Sequence, residues 1–155
     1  MSSKRTRAQR WVTSLCAGSL YALPAFGVGF ALGAVRILIL LPRLKATASV
    51  LLEAPIILTV SWILSKVTTA WLHVQPDIGA RALMGGTAFF VLMCAKFALS
   101  VTVFRKPASE FVLGFGTLPG AIGLAAQVVF GIFPLVQGRL EACGPQIFRG
   151  RDLTA

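Results

Sequence analysis

The sequence predicts an all-α integral membrane protein, a four-helix up-down bundle, and two observations lead to this fold class. The chain of 155 residues is 56% hydrophobic and only 13% charged, with a mean hydropathy of +0.81. A soluble domain is charged at about a quarter of its positions, because its surface faces water. Four apolar runs also approach the length of about 20 residues that a helix needs to cross a bilayer. These runs are continuous rather than alternating, which argues against the strands of a membrane barrel.

The four apolar runs give the predicted spans, which in chain order are 18–40, 48–64, 82–104 and 119–136. A basic N-terminal segment, 1–10, precedes the first span, and a polar tail, 138–155, follows the last. The connections are short, and no repeat or linker marks a second unit. We therefore expect a single membrane domain over residues 1–155.

The N-terminal region also allows an interpretation as a signal peptide. Residues 4–7 are mostly basic, and the Ala-Thr-Ala sequence at 46–48 resembles a cleavage site. The apolar core of a signal peptide is about 7–15 residues long, whereas this stretch runs for about 30 residues and contains Arg36. We expect an uncleaved first helix.

The distribution of Lys and Arg predicts the orientation. With four spans, both termini and the second loop share one side of the membrane, and that side holds nine Lys and Arg residues. The opposite side holds at most five, which are Arg36, Arg43, Lys45, Arg105 and Lys106. Because positive residues are enriched on the cytoplasmic side, the termini are expected in the cytoplasm.

The composition also limits the partners and the chemistry. The formal net charge is +10, but Lys and Arg lie between apolar runs and no nucleic-acid module is present, so the expected partner is the lipid bilayer and not nucleic acid. Cys16, Cys94 and Cys143 lack metal or redox spacing, and His73 has no partner motif. We therefore expect no metal, no cofactor and no enzymatic activity.

Four polar residues interrupt the spans, one in each: Arg36, Glu53, Lys96 and Gln127. An unpaired charge at the bilayer centre costs about 3 kcal/mol. With a rise of 1.5 Å per residue, each lies roughly 6–12 Å from a helix end, and in an up-down bundle those ends meet at one membrane face. The four side chains are thus predicted to form one intramembrane polar layer.

The helical period predicts which way this layer faces. Small residues share faces with the polar ones, and small residues in membrane helices mark close helix packing. The polar groups are therefore expected to point into the bundle. The glycines predicted to pack helices together are Gly29, Gly33, Gly116, Gly120 and Gly123.

The polar layer allows two interpretations. In the structural one, Glu53 pairs with Lys96 or with Arg36, the other cation reaches toward the interface, and Gln127 supplies hydrogen bonds. In the functional one, Arg36, Glu53 and Lys96 line a proton, ion or headgroup site, since ionisable residues inside membranes often serve function. The residues alone leave both open.

Several strings in the chain resemble a family of small four-helix proteins of proteobacterial inner membranes. They are LGAVRIL at 32–38, PRL at 42–44, LEAP at 52–55 and the third span over 81–100. The resemblance covers roughly residues 20–135 and implies a bacterial inner-membrane location, but no activity. The family is expected to carry an acidic residue near the position of Lys96, and this sequence departs from it there.

The function expected from these observations is a structural or accessory role, in which the protein packs against other membrane subunits or supports an envelope process. The alternative is a small transporter or channel that uses the Arg36, Glu53 and Lys96 layer. Four helices enclose little space, so a pore would require self-association.

Overall fold

The structure, a computed structural model, describes residues 7–75 and 77–143. Within these residues the chain forms five α-helices and no strand. They are α1 (Arg7–Val35), α2 (Ala46–Trp71), α3 (Ile78–Thr102), α4 (Ala108–Gly114) and α5 (Leu118–Cys143), with a π-helical segment, Arg36–Leu40, that continues α1. Four of the helices are long and apolar enough to cross a membrane. The predicted all-α fold with four spanning helices is confirmed.

The helices extend beyond the predicted spans, most clearly at the end of α2. The prediction ends this span near residue 64, because polar residues follow it. The helix instead continues to Trp71, and Ser65, Thr68 and Thr69 are buried within the bundle. The Thr69 hydroxyl donates to the Ser65 carbonyl at 2.6 Å. Hydroxyl groups that bond to their own helix need no water, so they do not end the span.

The two terminal segments also differ from the prediction. Residues 7–10 of the predicted basic segment belong to α1, and residues 138–143 of the predicted polar tail belong to α5. The remaining parts of these segments, 1–6 and 144–155, lie outside the described residues. Long basic side chains can reach the interface from a helix end, so a charge there does not terminate a spanning helix.

The spanning helices alternate in direction, which gives the bundle two distinct ends. At the terminal end, where α1 begins and α5 ends, Arg81 of α3 contacts Glu141 of α5 at 2.6 Å. At the cavity end, where α1 ends and α5 begins, Arg36 pairs with Glu53 of α2 at 3.3 Å. Helix α1 packs against α2 and α3, and α5 packs against the same two helices. The ring order is therefore α1, α3, α5, α2, and the loop between α2 and α3 crosses the bundle diagonally.

The core of the bundle is built around one aromatic pair. The Tyr21 ring stacks on the Phe130 ring with centroids 4.3 Å apart, and the Tyr21 hydroxyl donates to the Phe130 carbonyl at 3.1 Å. A buried phenol requires such a partner because no water reaches it. Met84 and several alanines complete the buried cluster. These side chains fill the centre of the bundle between its two ends.

Gly85 of α3 and Gly131 of α5 bring these two helices into close contact. A Cβ at Gly85 would overlap the carbonyl oxygen of Gly131. In α1, a Cβ at Gly18 would lie 2.5 Å from the carbonyl oxygen of Met84. Backbones approach this closely in membranes where side chains are small, and the gain is van der Waals contact.

Gly85→Ala should therefore destabilise the bundle, because the new methyl group would force α3 and α5 apart. Overpacking of this kind costs about 1–3 kcal/mol of unfolding free energy. The measurement is unfolding by sodium dodecyl sulfate in mixed micelles, followed by circular dichroism. Gly86→Ala is the matched control, since Gly86 is exposed and a Cβ there meets nothing within 4 Å. Equal unfolding curves for the two variants would contradict the close approach.

Candidate functional site

A cavity of about 600 Å³ lies between the four spanning helices at the cavity end of the bundle. Its deep part is lined by Ala25, Ser61 and Phe130, next to the aromatic core. Most of its wall is apolar, with contributions from Phe26, Phe30, Ile37, Leu92, Leu99 and Phe104. The volume falls within the range of about 300–1,000 Å³ that small-molecule sites occupy.

All four residues of the predicted polar layer line this cavity. Arg36 Nη1 lies 3.3 Å from Glu53 Oε2, and Lys96 Nζ donates to Gln127 Oε1 at 3.0 Å. One pair thus joins α1 to α2, and the other joins α3 to α5. Of the two pairings that the sequence allows for Glu53, the structure contains the one with Arg36. Lys96 bonds the Gln127 amide instead of a carboxylate.

The layer leaves polar groups without hydrogen bonds. Gln127 is only 4% exposed, and its Nε2 atom has no partner in the structure. Glu53 Oε2 lies beside Arg36 but makes no hydrogen bond either. A buried polar group without a partner costs about 1–3 kcal/mol. Both residues line the cavity, but these two atoms are buried in its wall, so a bound molecule reaches them only when the side chains turn.

The charge of the layer is also unbalanced. Among the cavity-lining residues there are two cations, Arg36 and Lys96, and a single carboxylate, Glu53. The side chains of Arg36 and Glu53 are 33% and 16% exposed, so their ion pair is partly accessible from the cavity. Two positive charges and one negative charge leave a net charge of +1 in a region surrounded by lipid.

The π-helical segment begins at Arg36, the first charged residue of the layer along the chain. The Leu41 amide donates to the Arg36 carbonyl at 2.8 Å, which closes a bond over five residues. Such a turn holds one more residue than an α-helical turn and shifts the positions after it around the helix axis. Nothing in the apolar string that follows Arg36 signals this change in the sequence.

The predicted packing glycines occupy two kinds of position. Gly29, Gly33 and Gly123 line the cavity, and a Cβ at Gly33 or Gly123 would meet nothing within 4 Å. Gly116 and Gly120 lie near the turn between α4 and α5, where a Cβ at Gly120 would overlap the Gly114 carbonyl. The glycines that line the cavity therefore leave room inside the bundle. The tight contacts between helices lie at Gly18, Gly85 and Gly131 instead.

A second polar cluster, at the terminal end, is absent from the sequence prediction. Arg81 is only 2% exposed, and besides Glu141 its guanidinium donates to the carbonyls of Val74 and Gln75 at 3.3 Å. A Cβ at Gly138 would lie 3.0 Å from Arg81 Cγ, so the glycine makes room for the arginine stem. This cluster ties the loop before α3 to the end of α5.

A buried glutamine completes the polar contacts of the terminal half. Gln137 accepts a hydrogen bond from the Ser65 hydroxyl at 2.8 Å and donates to the Trp62 carbonyl at 2.9 Å. The sequence does contain a signal for these residues, because Gln127, Gln137 and Glu141 recur at intervals that place them on one helical face. Which helix they meet depends on the ring order, which the sequence does not contain.

No protein-family model matches the chain, and neither a curated protein nor a solved structure does. Within residues 7–75 and 77–143, no three His, Cys, Asp or Glu side chains come together as a metal site. The four apolar helices nonetheless define the class: this is a small multi-pass membrane protein. Its candidate site is the cavity with the polar layer.

Glu53→Gln should destabilise the protein, because it removes the single carboxylate beside two cations. We expect a loss of about 2 kcal/mol, below the full cost of breaking a buried pair because the cavity gives partial access to water. Arg36→Gln should lower the free energy of unfolding less in the Glu53→Gln background than in the wild type. A double-mutant cycle with detergent unfolding measures this coupling. Glu110→Gln breaks an exposed pair with Lys106 and should cost less than about 0.5 kcal/mol. Additive effects of the two layer substitutions would contradict the pairing.

Proposed function

We propose that the protein is an accessory protein of the bacterial inner membrane that works by binding one amphipathic molecule in its cavity. The observation that carries this proposal is the cavity itself, which combines a long apolar wall with the charged and polar side chains of the layer. Ligand sites have this composition, with apolar walls and a few placed polar groups. The activity proposed is binding without chemical turnover.

The cavity is closed toward the terminal end. Tyr21, Met84 and Phe130 fill the bundle below it, and the Gln137 contacts close the space between α2 and α5. A channel requires a continuous polar path, and this core interrupts such a path within one copy of the chain. The geometry therefore supports a binding site better than the transporter or channel that the polar layer also allows.

The surroundings of the cavity support an accessory role among membrane components. Large apolar side chains are exposed along every spanning helix, and lipid or another membrane subunit can cover them. The resemblance to small proteobacterial inner-membrane proteins supports the location. The nine-to-five distribution of Lys and Arg supports cytoplasmic termini, which would open the cavity toward the periplasmic leaflet.

Gly33→Leu should fill the cavity and displace its ligand. A Cβ at Gly33 meets nothing within 4 Å, so the new side chain enters empty space without a clash. Native mass spectrometry of protein extracted in mild detergent should show one bound amphipathic molecule per wild-type chain, and several-fold less in the variant. Gly27→Leu is the matched control, because Gly27 lies in the same helix, is exposed and is equally free of neighbours.

The binding proposal is contradicted if Gly33→Leu and Gly27→Leu retain the ligand to the same extent as the wild type. It is also contradicted if the wild type retains none. A homo-oligomer that carries ions across liposomes, with the flux lost on Gly33→Leu, would favour the transporter instead.

Cysteine labelling tests the orientation on a background in which the three native cysteines are serine. With cytoplasmic termini, Lys45→Cys lies outside the cell membrane, whereas Gln75→Cys in the second loop lies inside. A membrane-impermeant maleimide should therefore label the first variant in spheroplasts and the second only after lysis. The reverse pattern would show that the termini face the periplasm.

A further inference from the structure

The cavity carries more hydrogen-bond donors than acceptors, and this imbalance points to the chemistry of its ligand. Lys96 uses one of its three N–H donors on Gln127, and the Gln127 Nε2 group makes no bond. Arg36 meets the Glu53 carboxylate through one of its nitrogens. On the acceptor side, the unbonded buried side-chain atoms of the cavity-lining residues are Glu53 Oε2 and Ser61 Oγ, and the hydroxyl can also donate. A ligand that completes this layer must bring acceptors.

The net charge of the layer gives the ligand's charge. Arg36 forms the ion pair with Glu53, so Lys96 has no carboxylate within ion-pair distance among the described residues, although Glu53 attracts it and Arg36 repels it through space. A charge without a counter-charge inside a bilayer is costly, and such residues are found paired or at functional sites. A single negative charge next to Lys96 would bring the layer to neutrality, whereas a dianion would be repelled by Glu53.

The apolar wall and the surroundings of the mouth indicate where this anion comes from. Above the layer the wall is formed by aliphatic and aromatic side chains, which an acyl chain can contact. The exposed residues Arg43, Lys45 and Arg105 lie in the loops at the cavity end, and basic residues near a membrane surface attract anionic lipids. Phosphate held by Lys and Arg is the common way in which proteins bind such headgroups.

From these three observations we infer that the cavity binds the phosphodiester headgroup of a monoanionic phospholipid between Lys96, Gln127 and Arg36. This inference rests on the proposed binding function and names its ligand class. Lys96 provides the charge, and the Gln127 amide provides a neutral donor when it turns toward the cavity. Glu53 holds Arg36 in place and sets the total charge that the site accepts. One acyl chain of the lipid lies along the apolar wall.

The test compares three soluble probes on the detergent-purified protein: lysophosphatidylglycerol, lysophosphatidylcholine with the same acyl chain, and glycerophosphoglycerol, which is the monoanionic phosphodiester headgroup without a chain. Native mass spectrometry gives their dissociation constants. The anionic lysolipid should bind at least about tenfold more tightly than the zwitterionic one, since a charge-assisted contact of about 1.5–3 kcal/mol corresponds to that ratio or more. Glycerophosphoglycerol should bind more weakly than the anionic lysolipid because it carries the same charge but lacks the chain.

Lys96→Met is the diagnostic variant, because it keeps an unbranched side chain, one atom shorter, and removes the positive charge. The variant should fold, and its unfolding midpoint should lie at the same sodium dodecyl sulfate fraction as that of the wild type or at a higher one. Its dissociation constants for the two lysolipids should lie within about twofold of each other. Lys106→Met is the matched control, since Lys106 is an exposed cation at the same end but outside the cavity. It should keep the tenfold preference. Lys96→Arg retains the charge and should also keep the preference. If it does, the loss of preference in the methionine variant follows from the missing charge and not from a disturbed fold.

The outcomes separate this inference from the proposed function. If both lysolipids bind equally to the wild type and Gly33→Leu weakens both, the cavity binds an amphiphile but the anion assignment is wrong. If neither binds and Gly33→Leu changes nothing, the binding function is wrong as well. If glycerophosphoglycerol binds as tightly as the anionic lysolipid, the ligand is a free phosphodiester and the lipid assignment is overturned. A tenfold preference that survives in Lys96→Met overturns the role of Lys96.

Discussion

The structure depends on one constraint: hydrocarbon offers no hydrogen bonds, so each polar side chain within a span needs a partner from another helix or from its own backbone. The partners found in this bundle also join its neighbouring helices. An ion pair joins α1 to α2, the Lys96–Gln127 bond joins α3 to α5, and the Gln137 contacts join α5 to α2. Only α1 and α3 lack such a link among the described side chains, and small residues such as Gly18 bring them together instead.

The two ends of the bundle satisfy this constraint to different degrees. At the terminal end, Arg81 contacts a carboxylate and two carbonyls, and the core beside it is filled. At the cavity end, a cation is bonded only to an amide, a buried amide nitrogen is unpartnered, and about 600 Å³ is unfilled. Buried atoms without a partner occur at both ends, because Arg81 Nη1 also lacks one, but the cavity end combines them with unfilled space. This combination is the basis for the proposed binding site at the cavity end.

Much of this architecture is accessible from the sequence, and the physical reason is the fixed geometry of the helix. Hydropathy gives the four spans because the bilayer sets their length, and a rise of 1.5 Å per residue gives the common level of Arg36, Glu53, Lys96 and Gln127. Both arguments use distances along single helices. They do not depend on how the helices are arranged around the bundle.

The remaining features depend on the arrangement between helices, and a single sequence does not contain it. Arg81 is a basic residue near a helix start, where a solvent-exposed side chain is the ordinary expectation, and it is buried because the ring order brings Glu141 to it. The same applies to glycines. Gly85 and Gly33 look alike in the sequence, but one lies against the backbone of α5 and the other beside empty space. The end of α2 was missed because buried hydroxyls resemble a polar loop.

The contacts divide the polar layer into two halves, and we propose that the structural interpretation fits one half and the functional interpretation fits the other. Arg36 and Glu53 form a matched pair, and a pair that neutralises itself serves to hold α1 against α2 without any ligand. Lys96 and Gln127 are not matched, because an amide oxygen accepts a hydrogen bond but does not cancel a charge. If the layer served packing alone, a neutral residue at position 96 would be the less costly choice, since replacing unsatisfied buried charges by apolar side chains is often stabilising. The cation at position 96, set at the wall of an open cavity, is therefore the feature that packing explains least, and it is the reason for proposing an anionic ligand.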